Sequence, residues 1–153
     1  MNLSRYPIDA PKSPETQRLI SDCRSELAET GMCLLPNFVS GTTLDRMRQE
    51  ATALSPSAHY NEHWRTSPRG GGDSKIGEST QATRASIRAI AFDQMRPESP
   101  SRQLYESDDL LNFVSAITDE PELYRCVDPL VSCHFSVFRD GDELGWHYDP
   151  KTN

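Results

Sequence analysis

The chain has 153 residues, which is enough for one domain with a hydrophobic core. It carries 23 acidic and 16 basic residues, for a formal net charge of −7. This balance argues against a general nucleic-acid binder, because phosphate contacts require clustered Lys and Arg. The sequence also has no apolar run of the roughly 18 residues that a membrane span needs.

The N-terminal residues lack the apolar core of a secretory signal, and the four cysteines form no CxxC pair. Disulfide frameworks are typical of short secreted chains with densely spaced cysteines, so these thiols are predicted to be reduced. We therefore expect a cytoplasmic protein. The sequence leaves its oligomeric state open.

Local signals at the N-terminus predict an arm followed by a helix. Residues 1–13 contain two prolines and are predicted to be an extended arm, with a third proline at Pro14. Ser13 is typical of an N-cap, Pro14 suits the first helical position, and Gly31 lies where a left-handed residue would end the helix. Residues 32–36 (MCLLP) are predicted to be a short buried strand.

The next elements are less regular. A second helix is predicted to begin at Ser40, and a third to cover residues 110–117 with its cap at Ser107 or Asp108. Between them, residues 56–85 lack periodicity and are rich in Ser, Gly and Pro. They are predicted to form a long loop or lid, a feature that is often functional in compact domains.

Strand-like runs occupy residues 86–92, 130–138 and 143–149. The last two are separated by Asp140-Gly141, which is a strong hairpin signal. Helices come first and the strand-rich part last, so the predicted class is α+β. Two strands cannot cover an apolar face, so they either join earlier segments or continue in a sheet beyond Asn153. The second alternative is favoured, because few strands precede the hairpin.

A His-x-Asp motif, His147 and Asp149, follows the last predicted turn. Side chains two residues apart on a strand point to the same side. One imidazole and one carboxylate there match two ligands of the 2-His-1-carboxylate triad, which binds iron(II) and leaves positions open. The motif alone is weak, and the alternative is a solvated hairpin end. The neighbouring Trp146 and Tyr148 strengthen the metal hypothesis and would pack around the site.

Parts of the chain resemble the N-terminal half of bacterial iron(II)/2-oxoglutarate-dependent oxygenases, in the subgroup of free-amino-acid hydroxylases and halogenases. The similar stretches are GMCLLPNFVSGTTLDRMRQEA, ELYRCVDPL and FSVFRDGDELGWHYDPKTN. The resemblance implies a single domain over residues 1–153, with an N-terminal helical layer on a double-stranded β-helix (jelly-roll) core that is incomplete in this chain. It also implies His147 and Asp149 as iron(II) ligands, 2-oxoglutarate as cosubstrate, and O₂ and a small-molecule substrate as partners.

The family has a second His ligand and an Arg for the far carboxylate of 2-oxoglutarate, both well after the His-x-Asp motif. No residue up to Asn153 matches them, so a truncated, non-catalytic member that acts as a binding or interaction module stays an alternative. Halogenating members carry a small residue in place of the carboxylate. Asp149 therefore favours hydroxylation of an aliphatic C–H, with a halogenase-like relative as a further alternative.

Six other residues could take part in such a site. A four-residue loop at 140–143 would place His134 opposite Asp149, where it could be a surrogate ligand or contact the cosubstrate; a core histidine is the default interpretation. Arg84 could bind a substrate carboxylate through its fork of donors, although a surface Arg is the default. The predicted substrate-binding set is Arg84, Asn61, Trp64, Trp146 and Tyr148.

Overall fold

The computed structural model describes residues 1–68 and 80–145, which combine helices with an open antiparallel sheet. In chain order the elements are α1 (Pro14–Thr30), α2 (Gly41–Leu54), a 3₁₀ turn (Ser55–Ser57), β1 (His59–Pro68), β2 (Thr80–Ile90), a second 3₁₀ turn (Phe92–Gln94), α3 (Pro100–Tyr105), α4 (Asp108–Thr118), β3 (Phe135–Val137) and β4 (Glu143–Leu144).

The predicted limits of α1 are confirmed. The Ser13 hydroxyl accepts a hydrogen bond from the Thr16 amide at 3.1 Å, which satisfies one of the free N–H groups of the first turn. Gly31 ends the helix with φ +72°, a left-handed conformation that costs glycine nothing, and its amide donates to the Leu27 carbonyl at 2.9 Å.

The other two predicted helices are confirmed as α2 and α4, capped by Ser40 and Ser107. The short helix α3 was not predicted, although Ser99 before Pro100 repeats the Ser13–Pro14 signal. The Ser99 hydroxyl accepts from the Arg102 amide at 3.3 Å. With only six residues, α3 is too short to show an apolar periodicity.

A hydrophobic core lies between α1, α4 and the N-terminal segment. Its most buried members are Tyr6, Ile8, Cys23 and Phe113, which are 6%, 2%, 2% and 4% exposed. The prediction of an extended arm is therefore wrong, because two of these four side chains come from residues 1–13. Backbone hydrogen bonds form turns in this segment, for example from the Tyr6 amide to the Asn2 carbonyl at 3.0 Å, and the Tyr6 hydroxyl donates to the carbonyl of Pro36 at 2.8 Å.

The prediction of a strand at residues 32–36 is also wrong. Cys33 and Leu35 pack against the core, whereas Met32 and Leu34 are 66% and 71% exposed. The alternation is that of a strand, but these residues pair with none of the strands in the described sheet. An apolar run can alternate in burial without a partner strand.

The sheet begins with a long pairing of β1 and β2, from His59 opposite Ala89 to Pro68 opposite Thr80. The prediction of a loop or lid over residues 56–85 is therefore wrong for the residues of these strands, while residues 69–79 lie outside the described part. Sequence periodicity missed β1 because most of its described side chains are exposed on both faces.

Strands β3 and β4 pair with the same edge of β2, with Val137 opposite Arg88 and Glu143 opposite Ser86. Both run antiparallel to β2, so they run in the same direction as each other and form one interrupted edge strand. The predicted hairpin is wrong. The strands instead join an earlier segment of the chain, β2. The sequence had disfavoured this alternative, because few strands were predicted before residues 130–138.

Residues 138–142 form the interruption, which we call the 138–142 bulge. Its turn is closed by the Asp142 amide, which donates to the Arg139 carbonyl at 2.8 Å. Gly141 has φ +84°, whereas Asp140 keeps a negative φ. A type I′ hairpin turn requires positive φ at both central residues, so this Asp-Gly pair turns the chain without reversing the strand. None of the helices in the described ranges is long and apolar enough to cross a membrane.

Candidate functional site

The predicted iron ligands and their aromatic neighbours lie outside the described residues: Trp146, His147, Tyr148 and Asp149. The structure does describe the strand that leads to them in the sequence. The Gly145 amide donates to the Arg84 carbonyl at 3.1 Å, so the edge strand is still bonded to β2 at this point. Over residues 1–68 and 80–145, no group of three His, Cys, Asp or Glu side chains could hold a metal ion.

His134 is exposed and lies directly before β3. The next residue, Phe135, is opposite Ile90, whereas β4 ends at Leu144 opposite Ala85. These two positions are five residues of β2 apart, or about 17 Å. The predicted pairing of His134 with Asp149 required a hairpin, which the described strands do not form, and Asp149 itself lies outside the described residues. A role of His134 as ligand or cosubstrate contact has lost its geometric basis.

Arg84 lies on β2 and is bound by carboxylate and carbonyl oxygens. Its Nε donates to Glu62 Oε1 at 2.8 Å and its Nη1 to the Gly141 carbonyl at 3.2 Å. Glu143 Oε1 is 3.7 Å from the same Nη1. The side chain is 30% exposed, so a ligand can reach it from solvent. A substrate carboxylate would have to compete with Glu62 for this guanidinium.

Ion pairing and hydrogen bonding change the titration of this group of side chains. The hydrogen bond from Arg84 lowers the pKa of the Glu62 carboxyl. Tyr60 donates to Glu62 Oε2 at 2.7 Å, and this bond raises the pKa of the Tyr60 hydroxyl. The hydrogen bond to Glu62 raises the pKa of Arg84. All three shifts favour a charged Arg84–Glu62 pair with a neutral tyrosine beside it.

Trp64 lies opposite Arg84 in the β1–β2 register and is 66% exposed. Residues on the same face of β1 are two apart, so Trp64 shares a face with Glu62 and Tyr60. Asn61 is three residues from Trp64 and is therefore on the other face, where it is exposed. Asn61 and Trp64 do not line one pocket. Their substrate roles stay predictions, with Trp64 beside Arg84.

A second ion pair lies on the same face. Arg88 pairs with Asp142, and its guanidinium carbon lies 4.6 Å from the centre of the Tyr60 ring. The Arg139 amide donates to Asp142 Oδ2 at 2.8 Å. That hydrogen bond, followed by the contact with Arg88, lowers the pKa of the Asp142 carboxyl. Sequence reasoning missed Glu62, Arg88 and Asp142. The available signal was the four-residue spacing of Arg84 and Arg88, which places both side chains on the same face of a strand.

An open cleft of about 500 Å³ lies between the end of α2 and the edge strand. Its walls are formed by the segments 51–56 and 136–139. Arg139 supplies the single cation among its lining residues, and Arg139 Nη2 donates to the Ser55 carbonyl at 3.4 Å. The surface of the cleft is mainly apolar, and its one guanidinium already donates a hydrogen bond to a backbone carbonyl.

No family model, curated protein or solved structure matches the chain.

Proposed function

We propose that this protein is a cytoplasmic iron(II)/2-oxoglutarate-dependent oxygenase that hydroxylates an aliphatic C–H of a small polar substrate, such as a free amino acid. In this proposal the chain forms the N-terminal part of a jelly-roll domain. The observation that supports the proposal is that Gly145, two residues before His147 in the sequence, is hydrogen-bonded within an antiparallel sheet. If that strand continues, His147 and Asp149 point to one side.

The donor set fits iron(II) in part. A neutral imidazole and a carboxylate are two of the three ligands of the facial triad. The proposal assigns the third ligand and the Arg for 2-oxoglutarate to residues beyond this sequence. When bound, iron(II) and 2-oxoglutarate supply the O₂ activation that C–H hydroxylation needs. Asp149 favours hydroxylation over halogenation, because a carboxylate fills the position that a halide would take.

Side chains of the sheet would bind and orient the substrate. Arg84 offers a planar fork of donors that suits a carboxylate, and its 30% exposure leaves it accessible. A carboxylate substrate would replace Glu62 on this guanidinium. Trp64 lies next to Arg84 on the same face and would cover the apolar part of the substrate. Trp146 and Tyr148 would pack around the metal.

The first test is anaerobic iron(II) binding by the native protein with 2-oxoglutarate present. We expect His147→Ala and Asp149→Ala each to weaken binding at least tenfold, in the range seen when a ligand or its support is removed. His134→Ala is the matched control, because this exposed histidine lies at the other end of the edge strand, and it should bind like wild type. Equally weak binding by wild type and His147→Ala would refute the proposal.

The intact mass of the native protein provides an independent test, together with the sequence of its C-terminal peptide. A mass above that of the 153-residue sequence, with a His and an Arg downstream, would complete the ligand set. A mass equal to that of the 153 residues would exclude a complete triad in one polypeptide.

The alternative of a non-catalytic interaction module is favoured by one observation. Apolar side chains before β3 are highly exposed: Tyr124 78%, Val127 94%, Leu130 62% and Val131 60%. Exposed apolar side chains are typical of interaction sites where they form a contiguous patch. Under this alternative, iron(II) binding is absent in wild type, and replacing Val127 by Asp abolishes association with a partner while leaving the fold intact.

A further inference from the structure

The 138–142 bulge poses a problem of register. Five residues on the edge strand, 138–142, lie opposite a single residue of β2, Ile87. A bulge of this size does not by itself determine where pairing resumes. A slip of one residue would turn every following side chain to the other face of the sheet. Some contact must therefore define the register of β4.

Asp142 supplies such a contact at the end of the bulge. Its side chain is 6% exposed, and a carboxylate buried to this degree requires charged or hydrogen-bonding partners. Oδ2 accepts from the Arg139 amide at 2.8 Å, which closes the bulge on itself. Oδ2 also pairs with Nη1 of Arg88, which ties the bulge to β2.

Two further β2 side chains bind neighbouring backbone groups. The hydroxyl of Ser86, which is fully buried, accepts from the Glu143 amide at 2.9 Å. Nη1 of Arg84 donates to the Gly141 carbonyl at 3.2 Å. Arg84, Ser86 and Arg88 alternate along one face of β2, so three successive side chains of that face contact residues 141–143.

Arg88 is itself held in place. Its side chain is 22% exposed, and its guanidinium lies over the Tyr60 ring of β1 at 4.6 Å. A cation over an aromatic face is attracted by the ring quadrupole, and the attraction grows as the pair is shielded from water. The position of Asp142 is thus set by two strands of the sheet.

We propose that Asp142 and Arg88 form a positioning pair that sets the register of β4, the strand from which the chain runs on to the proposed iron ligands His147 and Asp149. The proposal rests on the proposed function for its metal consequence, because it assigns no ligand of its own. In this role neither residue would contact the metal or the substrate. Their effect passes through the backbone of Glu143, Leu144 and Gly145.

Two readouts on the native protein test this pair: hydrogen exchange of the Gly145 amide and the dissociation constant of iron(II). We expect Asp142→Asn to speed exchange at Gly145 at least tenfold and to weaken iron(II) binding at least tenfold. Asp140→Asn is the matched control, since Asp140 is an exposed acid in the same bulge, and both quantities should stay at the wild-type value. Exchange at Phe113 in the helical core should be unchanged in both variants.

A second pair of variants keeps the test decisive if Asp142→Asn does not fold. Arg88→Lys retains a cation, so it is expected to keep most of the wild-type protection of the Gly145 amide against exchange and most of the iron(II) affinity. Arg88→Gln is expected to lose both. If the Gly145 amide of Arg88→Gln exchanged at the same rate as in the wild type, the positioning role would be overturned even if iron binds. Fast Gly145 exchange in Arg88→Gln, with no iron bound by wild type, would support the positioning pair and refute the oxygenase proposal, so the two failures are distinguishable.

Discussion

The helical layer and the sheet are held together by different forces. In the helical layer, Tyr6, Ile8, Cys23 and Phe113 form a mostly apolar core. On the sheet face that carries Arg84 and Glu62, ion pairs and hydrogen bonds are added to the Arg88–Tyr60 contact and to the fully buried side chain of Ile90. Apolar burial contributes about 25 cal/mol per Å² and depends little on pH. Exposed ion pairs contribute little and are sensitive to salt and pH.

This difference indicates which region can tolerate change. Burial raises the pKa of the Cys23 thiol to about 12, with a further contribution from Cys33, so the helical layer encloses an unreactive cysteine. In the sheet, Trp64 is 66% exposed and β1 has a partner on one side only among the described residues. We therefore expect substitutions in the helical core to affect global stability and those in the sheet to affect local order.

The largest expected effect is that of Phe113→Ala. Phe113 is 4% exposed, and removing a buried phenyl ring costs about 3–5 kcal/mol of unfolding free energy. Urea denaturation measures the loss, and alkylation of Cys23 should become faster as the core opens. Phe138→Ala is the control, since Phe138 is 49% exposed and should lose far less. Equal losses in the two variants would contradict the assignment of the core.

Ser86→Ala tests the sheet with a smaller effect. The substitution leaves the Glu143 amide without its acceptor in a fully buried position on β2, at a cost of about 1–3 kcal/mol. The expected signature is faster hydrogen exchange at Glu143 and Gly145 with unchanged exchange in α4. Ser136→Ala serves as control, because Ser136 is an exposed serine of β3. Faster exchange spread evenly over the whole chain would argue against a local role.

Ser13→Ala tests the local signal that begins α1. Loss of the capping hydroxyl leaves the Thr16 amide unsatisfied and should cost about 1 kcal/mol. Ser21→Ala is an internal control on the exposed side of the same helix, where alanine has the higher helix propensity and should be neutral or slightly stabilising. Thermal unfolding by circular dichroism compares the two. A smaller loss in Ser13→Ala than in Ser21→Ala would rule out the cap.

The smallest expected effect is the pH dependence of the sheet. In the folded state, the hydrogen bond from Arg84 lowers the pKa of the Glu62 carboxyl. The pKa of the Asp142 carboxyl is also lowered, chiefly by the hydrogen bond from the Arg139 amide. A lowered carboxyl pKa adds stability above the unfolded value, and this stability is lost as pH falls through the folded pKa. The melting temperature should therefore fall between about pH 5 and pH 2, the range in which carboxyl groups protonate.

Glu62→Gln should flatten this acid-side decrease, because the substituted amide does not titrate. Glu29→Gln is a suitable control, since Glu29 is an exposed residue of α1. Carboxyl NMR titration would measure the effect directly, with the midpoint of Glu62 below its usual range. A midpoint in or above the usual range would show that Arg84 does not bind Glu62 in solution. Arg84 would then be free for a substrate carboxylate.

Sequence alone determined the three longer helices α1, α2 and α4, because their signals are local. A serine cap, a proline at the first position and a glycine at the end act within one or two turns, so Ser13, Pro14 and Gly31 could be assigned without any knowledge of neighbours. The mixture of helix and sheet was predicted from the order of helix-like and strand-like runs along the chain. The His-x-Asp motif was recognisable from its spacing, although its geometry lies outside the described residues.

Tertiary structure decided the sheet and the network on its face. Asp140-Gly141 is compatible with a hairpin or a bulge, and pairing with β2, some 50 residues earlier in the chain, selected the bulge. The strand β1 lacks alternation because exposed faces impose no apolar pattern, so only its pairing with β2 reveals it. The contacts of Arg84 with Glu62 and of Arg88 with Asp142 depend on that register, which no local sequence signal specifies.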